Sequence, residues 1–278
     1  MESSRVESGM RIAVSGAAGR MGMRILALGH EHPDIEISGA LEWQAHPAIG
    51  VDAGENAGIG RLGIPITTDV EAVLKDCDVL VEFSSPAASV EHVKAAATAG
   101  KAIVVGTTGF SEAQKSDLAE AGKLTRCLVA PNMSMGVNLL FTLAENVARA
   151  LGSEYDVEII EAHHKMKKDA PSGTADKLAR VIAASLGRDL KDAGTYGRHG
   201  LIGERKPDEI GVMAIRGGDI VGEHTVMFVT NGERIELTHR AHSRDAFAKG
   251  AIRAALWLVS RPNGLYDMQD VLGLKVKQ

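Results

Sequence analysis

Short apolar segments alternate with segments of helical periodicity through the first half of the chain. The apolar segments predict buried strands, because they are rich in β-branched residues and are bounded by turn residues. The predicted strands are Arg11–Val14, Ile35–Leu41, Asp78–Phe83, Ala102–Val105 and Leu128–Ala130. Between them, apolar residues three or four positions apart predict helices, among them 21–30 and 112–121. Strands that alternate with helices indicate right-handed βαβ units and a parallel sheet.

The apolar pattern changes after Pro131. Five apolar residues at helical spacing predict one long amphipathic helix: Leu139, Leu140, Leu143, Val147 and Leu151. Strand-like segments follow over 157–161 and 209–239, with a predicted helix over 175–186 between them. Asn231-Gly232 predicts a two-residue hairpin inside the second of these segments. A last predicted helix over 246–259 is expected to pack on the first domain.

These patterns predict an α/β protein of two domains. Residues 10–134 and 245–278 are expected to form a domain with a parallel sheet, and residues 135–244 an α+β domain with a mixed sheet. Residues 1–9 are polar and precede an abrupt strand signal, so we expect a disordered extension there.

Composition excludes several classes of protein. The 278 residues carry 31 basic and 36 acidic side chains, whereas a nucleic-acid binder normally has a basic excess. The first residues have no apolar segment of the signal-peptide type, and no apolar run approaches the roughly 18 residues that span a bilayer. We therefore expect a cytoplasmic protein without nucleic-acid or membrane partners. Cys77 and Cys127 lie in apolar surroundings and are expected to be buried free thiols.

A glycine-rich segment, Gly16-Ala17-Ala18-Gly19-Arg20-Met21-Gly22, joins the first predicted strand to the first predicted helix. Glycines there allow a tight turn and let backbone N–H groups approach a pyrophosphate at the helix N-terminus. The GxxGxxG spacing is less common than GxGxxG and is weak support alone. Glu42 strengthens it, because an acidic residue after the second strand can accept hydrogen bonds from both hydroxyls of an adenine ribose. Together they predict a Rossmann-type dinucleotide-binding domain.

Trp43 follows Glu42, and neither Arg nor Lys stands beside it. The 2′-phosphate of NADPH would meet a carboxylate without a local counter-charge. The sequence therefore predicts that NADH is the preferred cofactor and NADPH the weaker one.

The segment from Glu161 to Thr174 concentrates two histidines and three lysines before a Pro-Ser-Gly-Thr turn. Ser172 or Thr174 can cap the helix that follows, and the free N–H groups of that helix favour an anion. With the lysines, the segment is suited to a small carboxylate substrate, and a histidine can move a proton near neutral pH. A solvated Lys-rich loop with neighbouring histidines would look the same, so both interpretations stay open on these residues alone.

Other chemistries have less support. His239 and His242 lie close together, but no carboxylate or thiolate beside them completes a metal-ligand pattern, and we expect no metal. A different NAD-linked dehydrogenase of similar organisation, such as a semialdehyde dehydrogenase, remains an alternative. A non-catalytic nucleotide sensor is another.

Five segments resemble the dihydrodipicolinate reductases, also called 4-hydroxy-tetrahydrodipicolinate reductases. They are GAAGRMG (16–22), GTTGF (106–110), APNMSMGVN (130–138), EAHHKMKKDAPSGTA (161–175) and GDIVGEHTVMF (218–228). The resemblance extends from Met10 to Leu274, and the histidine-containing segment is much more specific than the glycine loop.

The resemblance implies a homotetrameric NAD(P)H-dependent oxidoreductase of diaminopimelate and lysine biosynthesis. In this family, hydride reaches C4 of a cyclic imine dicarboxylate while an active-site histidine supplies a proton. By position, His163 is implied as proton donor or acceptor, and Lys167 as second proton donor and cationic anchor. His164, Gly173 and Thr174 are implied to hold the substrate carboxylates. The domain over 135–244 is implied to bind the substrate and to make the tetramer contacts.

The resemblance also implies which residues contact the cofactor. They are Gly16, Ala17, Ala18, Gly19, Arg20, Met21, Glu42, Gly106, Thr107, Thr108, Ala130, Pro131, Asn132 and Met133. Two positions depart from the pattern of many members, which have Arg where this chain has Trp43 and in some cases Phe where it has Met133. Trp43 in place of Arg argues against the use of NADPH. Met133 in place of Phe leaves no aromatic ring to contact the cofactor at that position.

Overall fold

The computed structural model describes residues 9–275 and divides into two compact units. Unit 1 comprises the residues up to Ser134 together with those from Asp245 onward, and unit 2 is Met135–Arg244. The extension predicted over residues 1–9 lies, apart from Gly9, outside the described residues.

Twelve strands occur within the described residues. They are β1 (Met10–Ser15), β2 (Ile35–Leu41), β3 (Ile66–Thr67), β4 (Val79–Glu82), β5 (Ala102–Val105), β6 (Arg126–Val129), β7 (Asp156–His163), β8 (Gly194–Thr195), β9 (Ile210–Arg216), β10 (Gly222–Thr230), β11 (Glu233–Ala241) and β12 (Gly264–Tyr266).

Ten α-helices accompany the strands over residues 9–275. They are α1 (Arg20–His30), α2 (Ala53–Ala57), α3 (Val70–Asp76), α4 (Pro86–Ala99), α5 (Glu112–Gly122), α6 (Met135–Leu151), α7 (Gly173–Ser185), α8 (Leu190–Ala193), α9 (Asp245–Leu258) and α10 (Met268–Leu272). A short 3₁₀ turn, Gly152–Glu154, follows α6.

Unit 1 is built on a seven-stranded sheet of order β12-β6-β5-β4-β1-β2-β3 in which every neighbouring pair is parallel. All residues of β4 and β5 are buried, as expected for central strands covered by helices on both faces. The strand order reverses between β1 and β4, where open α/β sheets bind their ligands. The predicted Rossmann-type parallel sheet is confirmed.

Several short elements of unit 1 were not predicted from the sequence. Examples are β3, with two residues, and α2 and α10, with five each. Elements of this length contain too few apolar positions to show a period. α2 begins instead through a local interaction, because the Asp52 carboxylate accepts the N–H groups of Gly54 and Glu55.

Unit 2 contains a five-stranded mixed sheet of order β11-β10-β7-β9-β8. β7 runs parallel to β9, whereas β10 is antiparallel to both β7 and β11. Asn231 and Gly232 form the two-residue connection between β10 and β11, and Gly232 has a φ of +94°. The predicted mixed sheet and its hairpin are therefore confirmed.

The predicted amphipathic helix is α6, and three of the five predicted apolar residues pack inward: Leu140 is buried, and Val147 and Leu151 pack against the core. Val137, Phe141 and Ala144 are buried against the sheet and α7, whereas Leu139 is 43% and Leu143 41% exposed. The helix begins with Met135, and its apolar residues extend around more than one face. Spacing alone therefore could not select the side that packs against the sheet.

Both cysteines are free and buried, as predicted. Burial raises the pKa of the Cys77 thiol to about 11 and that of Cys127 to about 12. No helix within residues 9–275 is long and apolar enough to cross a bilayer.

Candidate functional site

The residues implied to contact a cofactor all lie at one edge of the unit 1 sheet. The glycine loop follows β1, Glu42 follows β2, Gly106–Thr108 follows β5, and residues 130–133 follow β6. Because these strands are parallel, their carboxyl ends meet at the same edge. The structure therefore brings together segments that are more than a hundred residues apart in sequence.

The glycine loop has a shape that side chains would prevent. Gly16 has a φ of +72°, and a Cβ atom there would lie 2.4 Å from the carbonyl oxygen of Phe83. A Cβ on Gly22 would lie 2.1 Å from the carbonyl oxygen of Gly16. α1 then begins without a side-chain cap and without an acidic residue in its first turn. Its N-terminus can thus accept an anion, which fits the pyrophosphate of a dinucleotide.

A cavity of about 560 Å³ lies beside this loop, entirely within unit 1. Gly16, Glu42, Trp43, Ser84 and His92 are among its lining residues, and no Lys or Arg is among the described residues that line it. The cavity has room for a nucleoside, and Trp43, 62% exposed, offers it an aromatic face.

Glu42 is positioned by the loop itself. One carboxylate oxygen accepts the N–H of Ala18 at 3.1 Å, and the other accepts the N–H of Trp43 at 3.1 Å. Each oxygen keeps a second lone pair, so the carboxylate can still accept two ribose hydroxyls.

The remaining implied cofactor residues offer different groups. Thr107 is buried and donates its hydroxyl to Glu82, whereas Thr108 and Pro131 are exposed. Ala130 and Met133 are buried, so their side chains belong to the core and only their backbone groups are left for a ligand. Met133 packs against Gly250 of α9, where a Cβ would lie 1.8 Å from the Met133 carbonyl oxygen.

In unit 2, a fully buried carboxylate organises the histidine segment. Glu161, near the end of β7, is 0% exposed. Arg216 binds it with two hydrogen bonds, from Nη1 to Oε2 at 2.8 Å and from Nη2 to Oε1 at 2.7 Å. The backbone N–H of Ser172 donates to Oε1 at 3.0 Å, and His163 Nδ1 lies 2.6 Å from Oε2.

These contacts keep Glu161 ionised. Burial alone would raise its pKa, but the hydrogen bonds from Arg216, His163 and Ser172 outweigh burial and hold the pKa below its ordinary value. An ionised carboxylate can only accept hydrogen bonds, so Nδ1 of His163 carries the proton of that pair. The other ring nitrogen, Nε2, is then the one available for proton exchange with a ligand.

His163 packs in a confined space. Its ring meets the ring of His224 edge-on, with centroids 5.2 Å apart. A Cβ on Gly222 would lie 3.1 Å from His163 Nε2, so the glycine leaves room for the imidazole. Burial lowers the pKa of His163, and the charge of Glu161 only partly opposes this effect. In the free protein the ring is therefore neutral at pH 7.

His224 and Ser172 support this arrangement. His224 Nε2 lies 3.0 Å from Ser172 Oγ, which also accepts the N–H of Ala175 and so caps α7. Burial, together with the nearby His163, lowers the pKa of His224 to about 3, so the ring is uncharged.

The residues implied to bind the substrate come shortly after His163 in the chain. Lys167 forms an ion pair with Asp169, with Nζ 2.9 and 2.8 Å from the two carboxylate oxygens. His164 is half-buried, and its Nδ1 is buried without a hydrogen-bond partner among the described residues. Gly173 and Thr174 begin α7, at the positive end of the helix dipole. A Cβ on Gly173 would contact nothing within 4 Å, so a ligand can approach its backbone.

Three residues of this cluster were not predicted from the sequence to have a role: Glu161, Arg216 and His224. Glu161 could have been found, because residues two positions apart on a strand share a face and Glu161 stands two before His163. Arg216 could not, since its place opposite His163 comes from the parallel register of β7 and β9.

Residues 10–133 match the family model described as "Dihydrodipicolinate reductase, N-terminus", and residues 136–272 match "Dihydrodipicolinate reductase, C-terminus". The chain belongs to the dihydrodipicolinate reductase family. The resemblance drawn from its motifs is confirmed.

Relatives of this dihydrodipicolinate reductase family member match nearly all of the chain. A 4-hydroxy-tetrahydrodipicolinate reductase of Syntrophobacter fumaroxidans is 54% identical over 266 residues, 96% of this chain and 100% of the relative. One of Citrifermentans bemidjiense is 52% identical with the same coverage. The shared length and identity support one family over both units.

Solved structures share its fold. A dipicolinate-bound dihydrodipicolinate reductase from Paenisporosarcina sp. TG-14 has a TM-score of 0.72 at 24% identity, covering 94% of this chain and 98% of that one. An amine dehydrogenase from Mycobacterium smegmatis has a TM-score of 0.59 at 14% identity, covering 93% and 95%. Within residues 9–275, no group of three or more His, Cys, Asp or Glu side chains is arranged to hold a metal ion.

We predict that Glu161→Gln moves the pKa of His163 further below its ordinary value. The substitution removes the negative charge that opposes the effect of burial, and the imidazole resonances in an NMR titration report the change. Arg216→Met removes a positive charge near the ring and should shift the pKa in the opposite direction.

The matched control is Glu223→Gln, which removes an exposed carboxylate on β10, the strand paired with β7. It should leave the His163 titration unchanged. A His163 pKa that is the same in the wild type and Glu161→Gln would show that the buried pair does not form.

Proposed function

We propose that this chain reduces 4-hydroxy-tetrahydrodipicolinate to tetrahydrodipicolinate with a nicotinamide nucleotide, a step of diaminopimelate and lysine biosynthesis. The observation that carries the proposal is the Glu161 network, because one buried carboxylate binds both the proposed proton donor and the turn that starts the proposed carboxylate-binding helix. Ser172 N–H and His163 Nδ1 bind the same carboxylate, and Ser172 starts the helix whose first residues are Gly173 and Thr174.

The substrate is a dicarboxylate, and unit 2 offers groups for both charges. Lys167 is the proposed anchor for one carboxylate of the substrate. In the free protein its ammonium is held by Asp169. His164 and the first backbone N–H groups of α7, at Gly173 and Thr174, hold the carboxylates by hydrogen bonds. Cations and helix dipoles of this kind offset the loss of hydration that a bound dianion suffers.

His163 is the proposed proton donor. The 4-hydroxyl leaves as water, which gives a conjugated cyclic imine. When bound, the reduced nicotinamide supplies the hydride that reaches C4 of this imine, and the proton from His163 goes to the neighbouring ring carbon. The two substrate carboxylates favour the protonated form of His163, opposing the burial that keeps the free ring neutral. Its Nδ1 stays bonded to Glu161, so Nε2 delivers the proton, and Lys167 is the second donor.

The alternative activities have less support in the structure. An acylating semialdehyde dehydrogenase needs a reactive thiolate, and both cysteines are buried in unit 1 with raised pKa values. A nucleotide sensor has no use for an oriented histidine beside a set of carboxylate-binding groups.

The cofactor is proposed to be NADH in preference to NADPH. The described lining of the unit 1 cavity holds the Glu42 carboxylate and no Lys or Arg, so a 2′-phosphate would meet charge repulsion there. The glycine loop is common to both cofactors and does not discriminate.

Location and assembly complete the proposal. We infer a cytoplasmic homotetramer formed through unit 2, supported by the exposed apolar side chains of Leu201, Ile215 and Ile235 on that unit. Analytical ultracentrifugation of the full chain measures the oligomeric state, and a monomer would overturn the assignment.

His163→Gln should lower kcat by about 10²- to 10⁴-fold, the usual contribution of a general acid. The Kd for NADH should not change, because the residue lies in unit 2 and the nucleotide cavity in unit 1. Steady-state kinetics and fluorescence titration separate the two quantities. The exposed His199→Gln is the control, and a fully active His163→Gln would remove the role assigned to His163.

Wild-type kcat/KM should be clearly higher with NADH than with NADPH. Trp43→Arg places a cation beside Glu42 and should raise kcat/KM for NADPH by roughly tenfold or more, the value of a charge-assisted hydrogen bond. Trp43→Gln, which removes the ring without adding charge, is the control. A wild-type preference for NADPH would contradict this account of the cavity.

A further inference from the structure

Unit 1 contains a second fully buried carboxylate, Glu82, the last residue of β4. Its Oε1 accepts the Ser84 N–H at 2.7 Å and the hydroxyls of Ser89 at 3.2 Å and Thr107 at 3.5 Å. The Ser84 hydroxyl also donates to this oxygen. Oε2 accepts a hydrogen bond from Nδ1 of His92. Both oxygens of this buried anion thus accept hydrogen bonds.

The cluster joins the loops of the nucleotide site. Ser84 follows β4, Thr107 follows β5, and Ser15 ends β1 with its hydroxyl 3.3 Å from His92 Nδ1. These three strands are neighbours at the point where the strand order reverses. The network therefore connects the segment before the glycine loop to the segment that carries Gly106 and Thr108.

The cost of burying Glu82 indicates a role beyond stability. Burial would raise its pKa, but the bonds from His92, Ser84 and Ser15 outweigh burial and keep the pKa below its ordinary value. A buried ion pair rarely stabilises a fold more than apolar residues of the same size would. What the pair does provide is a fixed orientation of the imidazole, since the ionised carboxylate requires the proton of His92 to be on Nδ1.

The ring of His92 reaches the nucleotide cavity. Its side chain is 14% exposed, and it lines the cavity together with Gly16, Glu42 and Ser84. With Nδ1 committed to Glu82, Nε2 is the nitrogen left for a ligand.

We propose that His92 contacts the dinucleotide, with Glu82 as the residue that orients it, and that Nε2 accepts a hydrogen bond from a ribose hydroxyl. The inference rests on the proposed binding of a nicotinamide nucleotide in unit 1. Because Nδ1 directs its proton to Glu82, the lone pair proposed for Nε2 suits a hydroxyl donor and disfavours phosphate oxygens, which have no proton to donate. Ser15, beside the ring, directly precedes the glycine loop, so the ligand atoms nearest His92 are those that flank the pyrophosphate.

Binding measurements without substrate test the contact directly. His92→Phe keeps a ring and removes both nitrogens, and it should raise the Kd for NADH by roughly 3- to 10-fold, the effect of one lost hydrogen bond. ADP-ribose, which retains both riboses, should show the same rise. His30→Gln, at an exposed histidine of the same unit, is the control and should leave both Kd values unchanged.

NMR of the wild-type protein gives a second readout that does not depend on a folded variant. With ¹⁵N-labelled histidine, His92 should show a protonated Nδ1 and an unprotonated Nε2, and the Nε2 resonance should shift when NADH is added. A purely structural His92 would keep its Nε2 resonance unchanged.

The outcomes separate the two claims. Wild-type protein that binds no NADH would refute the proposed function. Wild-type protein that binds NADH, with an unshifted Nε2 resonance and an unchanged Kd in His92→Phe, would refute only the role of His92. A raised Kd together with the shifted resonance supports it.

Discussion

A carboxylate that leaves water must regain its hydrogen bonds from the protein, and Glu161 regains them from three parts of unit 2. His163 comes from the same strand, Arg216 from the neighbouring strand β9, and Ser172 from the turn before α7. Removing one partner of such a buried pair costs on the order of 3–5 kcal/mol, so these three parts are held in one arrangement. The proposed proton donor and the start of the proposed carboxylate-binding helix are therefore positioned by the same anion.

Unit 1 also contains a fully buried glutamate that is bound to a histidine. Glu82 is the last residue of a buried strand; like Glu161, it is 0% exposed and binds Nδ1 of a histidine. Its remaining partners are hydroxyl and backbone donors, where Glu161 has a guanidinium. Each carboxylate binds Nδ1 of a histidine and so holds the proton on that nitrogen. Nε2 of each histidine is then left for a ligand. One histidine is assigned to proton transfer and the other to nucleotide binding.

Much of the fold could be predicted because its elements are periodic and well bounded. The Ile35–Leu41 strand and the Asn231-Gly232 hairpin occur as predicted, since β-branched runs and Asn-Gly turns are strong local signals. The spacing also predicted α6, but Leu139 and Leu143 are exposed, because a helix with apolar residues on several sides does not show which of them are buried.

Candidate site residues could be named from the sequence where they are close together in the chain. The His163–Thr174 segment and the glycine loop were identified as continuous motifs, and the structure shows the carboxylates and turns that position them. Arg216 and the Glu82–His92 pair depend on strand register and helix packing across long sequence separations. No local pattern contains that information.

The most direct test of this account is NADH oxidation by the purified chain while a synthase generates the cyclic imine in the same cuvette. Product analysis compares the amount of reduced heterocycle formed with the amount of NADH oxidised. The account predicts one NADH oxidised for each tetrahydrodipicolinate formed, with no oxidation when the synthase is omitted. A folded chain that binds NADH and oxidises none of it under these conditions would contradict the account.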